Sequence, residues 1–379
     1  MDRLSTWKLR FRRMAKTCVG ILVLNPVYRL CCLMPIRKNL VVLADGHQNT
    51  MPSSMKILSQ KLRKDTSVEV AEYFHDYSFS GAVRGLQIML KFLPLYARAE
   101  YVFICDAFLP VSYCKRRSGT TVVQLWHSCG LMKKVGKDSE QERKLMSHWQ
   151  YKNYDVFTTS SPVVSRILSG AMDIPESVFS QAGVSRMDTY FDIETVEKTR
   201  YAFFEKYPQY RGKKLILWAP TFRGTAQTGT LAGQEEILRL QAEMPDDYKL
   251  IIRTHRFVQG RNMDTHVEFS SEELLMVADM LITDYSSIYF DYLYFRRPIV
   301  LFAPDLENYL RDTGMYVSYE KFPGLIAKTY DALYDAVLTA GQWADRQYRE
   351  RMDAFWNEQM VYCDGSSTEK LLRQIGLIR

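Results

Sequence analysis

Runs of apolar residues that stop abruptly at a polar group constrain this chain more than any other feature. In the first half they are NLVVLAD, VEVAEYF, YVFICDAF, TTVVQLW, DVFTTSS and SVFSQAG; in the second they are KLILWAPTF, YKLIIRTH, DMLITDYSS and PIVLFAP. An unbroken apolar run marks a strand buried on both faces, hence a parallel sheet wrapped by helices. The intervening segments supply those helices. Ser53 to Lys64 places Met55, Leu58 and Leu62 on one face, and a second apolar segment spans Gly85 to Ala97. A third, DSEQERKLMSHWQYKNY, is expected to be capped by Asp138, with Leu145, Met146 and Trp149 facing inward. A more polar helical stretch, IETVEKTRYAFFEKYPQY, connects the two sets of strands. The expected fold class is α/β, with two Rossmann-like domains over residues 39–192 and 193–379, the latter ending in helices. They are expected to face a cleft, because ligands of such sheets bind beyond the carboxyl ends of the strands.

A chain of 379 residues can bury two cores, and 47% hydrophobic with 25% charged residues excludes a disordered polymer. The net charge of +7 is unevenly placed: MDRLSTWKLRFRRMAK carries Arg3, Lys8, Arg10, Arg12, Arg13 and Lys16 against Asp2 alone. The run that follows, TCVGILVLNPVYRLCCLMP, has an uninterrupted apolar core of about eight residues, against the roughly 20 of a spanning helix. No small-x-small cleavage site precedes Pro26, which argues against a signal peptide. Residues 1–38 are therefore expected to form a basic amphipathic segment on an anionic membrane surface, with Trp7, Leu9, Phe11 and Met14 interleaved among the cations. A solvated helix packed on the protein itself is the alternative.

The cysteines, at 18, 31, 32, 105, 114, 129 and 363, form no C-x-x-C pair and no recurring spacing. That is a cytosolic pattern without a disulfide framework or a zinc site. Cys129 lies beside His127, but a bystander thiol is the commoner reading. There is no G-x-x-x-x-G-K-[ST] loop and no G-x-G-x-x-G after a strand, so a nucleotide-hydrolysing motor and a dehydrogenase are set aside. No metal site is expected. His47, His75, His148 and His266 read as structural or exposed.

What remains is a set of strand ends carrying phosphate-handling groups. QLWHS delivers His127; WAPTFRG delivers Pro220, Thr221 and Arg223; IIRTH delivers Arg253 and His255; TDYSSIYFD delivers Asp284, Ser286, Ser287 and Asp291. Arg253 and His255 point to one face of an extended strand, where a planar guanidinium suits phosphate oxygens. Ser286 and Ser287 stand where a helix begins, so they either cap it or help its free N–H groups hold a diphosphate.

From about residue 39 to about residue 370, these motifs resemble the CDP-glycerol glycerophosphotransferase family of teichoic acid synthesis, and most of all its priming members. The matching pieces are the W-H of WHSCGLMKKVG, G-x-x-R-x-D in GVSRMD, A-P-T-x-R in WAPTFR, R-x-H in RTH, and D-Y-S-S with a following F-D in DYSSIYFD. The resemblance implies a glycosyltransferase-B fold, residues 39–192 serving the acceptor and 193–379 binding the CDP-polyol. It implies transfer of glycerol phosphate from CDP-glycerol to a hydroxyl of an undecaprenyl-diphosphate-linked saccharide, with release of CMP. The setting it implies is peripheral, at the cytoplasmic face of a bacterial membrane, with no nucleic-acid partner and no cofactor beyond the donor.

Residue by residue, the resemblance makes His127 the general base for the acceptor hydroxyl. It makes His255 the second catalytic residue, which with Arg253, Thr221 and the Ser286–Ser287 turn holds the diphosphate and stabilises charge in the transfer, and it places Thr254 among the substrate-binding residues. Arg186 and Asp291 complete the donor site, and Trp126, Ser128, Pro220, Arg223 and Asp284 contribute to substrate binding. The chain departs from the family where Ser128, Cys129 and Gly130 replace G-T-P and where Arg256 replaces proline. The polyol stays open between glycerol and ribitol, and a nucleotide-sugar glycosyltransferase of the same fold, or a non-catalytic lipid-saccharide binder, stays as an alternative.

Overall fold

The computed structural model of the chain describes residues 14–64, 67–77, 80–145, 150–224, 229–254, 258 and 265–378. His148, His255 and the cations before Met14 lie outside these residues, as do Met146 and Trp149 of the expected helix. The chain forms two compact units. The first comprises Met1–His127, Val135–Thr189 and Val361–Arg379; the second comprises Ser128–Lys134 and Tyr190–Met360.

The first unit holds a parallel sheet of β1 (Leu40–Asp45), β2 (Glu69–Phe74), β3 (Tyr101–Ile104), β4 (Thr121–Gln124), β5 (Val156–Thr158) and β6 (Phe179–Ser180), in the order β2-β1-β3-β4-β5-β6. The register sets Asp45 beside Phe74, Ala44 beside Ile104 and Ile104 beside Gln124, so the carboxyl ends of β2, β1, β3 and β4 form one edge. β1 is buried along its whole length, as its unbroken apolar run requires. The helix Ser53–Lys64 lays Met55, Leu58 and Leu62 against Val41, Leu43, Phe103, Val123 and Leu125. Leu371 and Leu372, from the helix Ser367–Gln374, close the same core. Asp188 fixes that helix by accepting from Ser367 N at 2.9 Å and Thr368 N at 2.7 Å. Residues 361–378 thus rejoin the first unit, whereas chain order alone would leave them in the second.

The helix Gly81–Arg98 buries Met89, Phe92, Leu93 and Tyr96. Against it packs an N-terminal helical segment that passes through a π-turn at Gly20–Leu24 into Asn25–Cys31. Tyr28 stacks on Tyr96 with ring centroids 4.8 Å apart, and Asn25 Nδ2 donates to the carbonyl of Tyr113 at 3.0 Å. Gly20 is required there, since a Cβ would lie 2.2 Å from the Tyr113 ring. One face of this segment is packed while the other leaves Ile21, Leu22 and Leu30 exposed, and Leu33 is exposed in the turn that follows.

The second unit holds β7 (Lys214–Trp218), β8 (Tyr248–Ile252), β9 (Met280–Thr283), β10 (Ile299–Phe302) and β11 (Leu325–Ala327), all parallel in the order β11-β10-β9-β7-β8. β11 escapes the apolar-run signal because it is three residues long and only half-buried at Leu325 and Ile326. Trp218, Ile252, Ile282 and Phe302 meet Ile237, Leu240, Leu333 and Val337 of the covering helices. Both sheets reverse strand order next to their first strand, between β1 and β3 in one unit and between β7 and β9 in the other, and the carboxyl edge at such a reversal is where open α/β sheets bind ligands.

Candidate functional site

In the first unit, His127 stands just beyond β4 on a turn whose geometry is held from several sides. Trp126 adopts φ +57°, a left-handed conformation costly for a bulky residue. Its amide donates to Gln124 Oε1 at 3.0 Å, its carbonyl accepts from Ser54 Oγ at 3.3 Å, and its ring packs on Phe157 at 5.3 Å. Arg186, only 9% exposed, donates from Nη1 to the main-chain carbonyl of His127. Trp126 is buried, whereas the His127 side chain is 50% exposed, so the strained turn lifts an imidazole out of an apolar floor. Its Nδ1 lies 3.6 Å from Asp106 Oδ2, a carboxylate beyond the neighbouring β3.

Asp45 ends β1 on the same edge. Burial pushes its carboxyl above the usual range, although the amide of His47 donates to it at 2.7 Å. Cys129 is buried. Nothing in the sequence singles out Asp106 or Asp45, because one aspartate after a strand has no motif; only the shared edge of the strand ends reveals them. His47, read as structural or exposed, packs its ring 5.7 Å from Tyr77 near that edge.

In the second unit, Asp284 joins the loops after β7 and β9. Its Oδ1 accepts from Thr221 N at 2.7 Å and Tyr285 N at 2.6 Å, and its Oδ2 accepts from Arg223 Nη2 at 2.9 Å. Arg223 also grips Asp305 through Nε at 2.7 Å and Nη2 at 3.0 Å, and lies about 5 Å from the rings of Tyr285 and Tyr309. Burial opposes its charge, but the two carboxylates outweigh it and raise its pKa. Burial likewise raises the carboxyl of Asp284 despite Arg223. Asp305 is half-buried, and the bonds and charge of Arg223 hold it below the ordinary range. Arg223 is thus occupied within the protein and orders the two loops.

Arg253 has a comparable duty, donating from Nη2 to the carbonyls of Val267 at 2.9 Å and Phe269 at 2.6 Å, while its Nε is buried without a partner among the described residues. Among the described residues Thr221 Oγ1 is a buried hydroxyl with no hydrogen-bond partner. Pro220, Thr254 and Asp291 are buried; Ser128, Ser286 and Ser287 are half-buried. Ser286 Oγ accepts from Ile288 N at 3.4 Å, whereas the Ser287 side chain makes no capping bond. Arg186 belongs to the first unit, beneath His127. Among the described residues no cluster of metal-ligating side chains occurs.

The family described as CDP-Glycerol:Poly(glycerophosphate) glycerophosphotransferase matches residues 26–377. The chain is 27% identical to a teichoic acid ribitol-phosphate primase of Bacillus spizizenii, over 92% of this chain and 94% of that protein. It is 27% identical to a teichoic acid glycerol-phosphate primase of Bacillus subtilis, over 76% of each chain. It spans 58% of a poly(ribitol-phosphate) polymerase of Bacillus spizizenii, at 28% identity over 92% of this chain. Among solved structures it superposes on the wall teichoic acid polymerase TagF with a TM-score of 0.74, at 19% identity, covering 99% of this chain and 98% of that one.

Proposed function

The chain belongs to the CDP-glycerol:poly(glycerophosphate) glycerophosphotransferase family, and on that premise we propose that it transfers a polyol phosphate from a CDP-polyol to a hydroxyl of a lipid-linked saccharide, releasing CMP. The acceptor oxygen forms a bond to the phosphorus bearing the polyol. The bond from that phosphorus to the bridging oxygen breaks, and CMP leaves with the electron pair. His127 receives the acceptor proton as general base. Phosphoryl transfer needs alignment and neutralisation of charge more than covalent help. Thr221, Arg253, Thr254 and the Ser286–Ser287 turn supply donors to the diphosphate, together with His255. Asp284 and Arg223 hold the loops that carry them. Arg186 sets the carbonyl, and so the orientation, of His127.

The observation that carries this reading is the exposed His127 on the left-handed Trp126 turn, since a strained conformation braced from several sides is the usual mark of a functional position. The donor is CDP-glycerol in the first reading. A second reading, CDP-ribitol, is favoured by the ribitol-phosphate primase matched over 94% of its length. The near full-length match to that primase also favours addition of one or very few units. The exposed Leu22, Leu30 and Leu33 support seating on the cytoplasmic membrane face; among the described residues no helix is long and apolar enough to cross a membrane. The test is a panel of CDP-glycerol, CDP-ribitol and a nucleotide sugar with a defined prenyl-diphosphate disaccharide, followed by CMP release and product mass. Release of a nucleoside diphosphate from the sugar donor alone would overturn the proposal.

A further inference from the structure

The first unit carries a cavity of about 460 Å³ beyond the carboxyl end of β2, lined among others by Asn49, His75, Asp76, Arg84, Gln87 and Lys91. We propose that this cavity binds the diphosphate headgroup of a prenyl-linked substrate, at a distance from the residue that activates its hydroxyl. The assignment rests on the acceptor reading above for the identity of that substrate.

Charge is the first argument. Arg84, Gln87 and Lys91 recur at helical spacing and form one stripe on the helix Gly81–Arg98. Both cations are exposed, and neither has an anionic partner among the described residues. Among the described residues the one carboxylate lining the cavity is Asp76, so cationic groups outnumber it. Unpaired cations around a concave polar surface are complementary to a polyanion.

Rigidity is the second argument. Met89, Phe92, Leu93 and Tyr96 anchor the other face of the helix in the core, and Tyr73 OH donates to the carbonyl of Ile88 at 2.6 Å. At the opposite wall Asn49 Oδ1 accepts from the amide of Asp76 at 2.9 Å. The cations therefore stand on a fixed frame.

Position supplies the third argument. His75 follows β2 and His127 follows β4 on one edge, three strand spacings apart, roughly 14 Å. That span leaves room for a short saccharide between a diphosphate and a reacting hydroxyl. The same helix exposes Val83, and the helical segment packed on it, with the turn that follows, exposes Leu22, Leu30 and Leu33, so apolar surface for a prenyl chain lies on neighbouring elements.

The test uses the full chain with farnesyl diphosphate in detergent as the probe, measured by calorimetry. Farnesyl diphosphate is expected to bind at least about tenfold more tightly than inorganic pyrophosphate, and Arg84→Ala/Lys91→Ala to weaken it by about tenfold or more while leaving CDP-glycerol affinity unchanged. Both substituted side chains are exposed, so the variant keeps its unfolding temperature. Unchanged farnesyl diphosphate affinity in the variant overturns the proposal. Equal binding of pyrophosphate and farnesyl diphosphate also overturns it, as does a variant that loses only its attachment to phosphatidylglycerol vesicles. If no CDP-polyol is turned over but the variant still loses farnesyl diphosphate, the transferase reading fails and the headgroup site stands.

Discussion

His127 Nδ1 lies 3.6 Å from Asp106 Oδ2, the two residues leaving adjacent parallel strands at the same edge. A carboxylate so placed faces the ring without a direct hydrogen bond and bears on its orientation. His127→Ala is expected to lower the transfer rate by about 10²–10⁴. Asp106→Asn should give a smaller fall in kcat with the KM for the CDP-polyol unchanged. Steady-state kinetics with a defined acceptor decide both, and a near-normal rate for His127→Ala would remove it from the mechanism.

Arg223 stands between two carboxylates, and its side chain is 19% exposed against 4% for Asp284. Removing it strands a buried charge, which typically costs about 3–5 kcal/mol. Arg223→Ala is therefore expected to lower the denaturation midpoint strongly. Arg223→Lys, which keeps the charge but not the fork, should fall between it and the unmodified protein. Equal stability of all three in urea would show that the loops are held by something else.

A pH dependence follows from Asp305, whose carboxyl lies below its ordinary value in the folded state. A depressed carboxylate contributes stability that is fully present above its unfolded pKa, about 4, and is lost as pH falls through the lower folded value. The stability gap between the unmodified protein and Asp305→Asn should stay constant from neutral pH to about 4 and close below it. Chemical denaturation across that range is the measurement; a gap that widens on acidification would contradict the assignment.

Leu22, Leu30 and Leu33 are 71%, 67% and 84% exposed. Replacing all three with aspartate should abolish cosedimentation with phosphatidylglycerol vesicles and leave thermal unfolding unchanged. Deleting the whole segment is the poorer experiment, because it would strip Tyr28 from Tyr96 and uncover the core. Undiminished vesicle binding by the triple variant would place the membrane contact elsewhere.

The two parallel sheets were legible in the sequence because strands buried on both faces leave unbroken apolar runs, as in Leu40–Asp45 and Met280–Thr283. The helix Ser53–Lys64 was legible for a similar reason, its inward face repeating at Met55, Leu58 and Leu62. Partnership was harder to read. Arg223 stands in a motif that suggests a phosphate ligand, yet its geometry is set by Asp305, some eighty residues on, which no local pattern announces. Asp106 was invisible for the same reason. The helix Ser367–Gln374 shows an amphipathic pattern, but such a pattern names a face and not the sheet that will cover it; its place follows from Asp188.

The return of residues 361–378 to the first unit has a consequence for synthesis. Val41, Leu43, Val123 and Leu125 can be made, and their strands paired, well before Leu371 and Leu372 leave the ribosome. At about 5–20 residues per second, the whole of the second unit must be translated in the interval, a wait on the order of ten seconds. During that wait, part of one apolar face of the first sheet has no cover and is open to chaperones or to wrong partners. Lesions near residue 370 should therefore be felt first as poor yield of folded protein, through the earliest-made sheet rather than the nearest one.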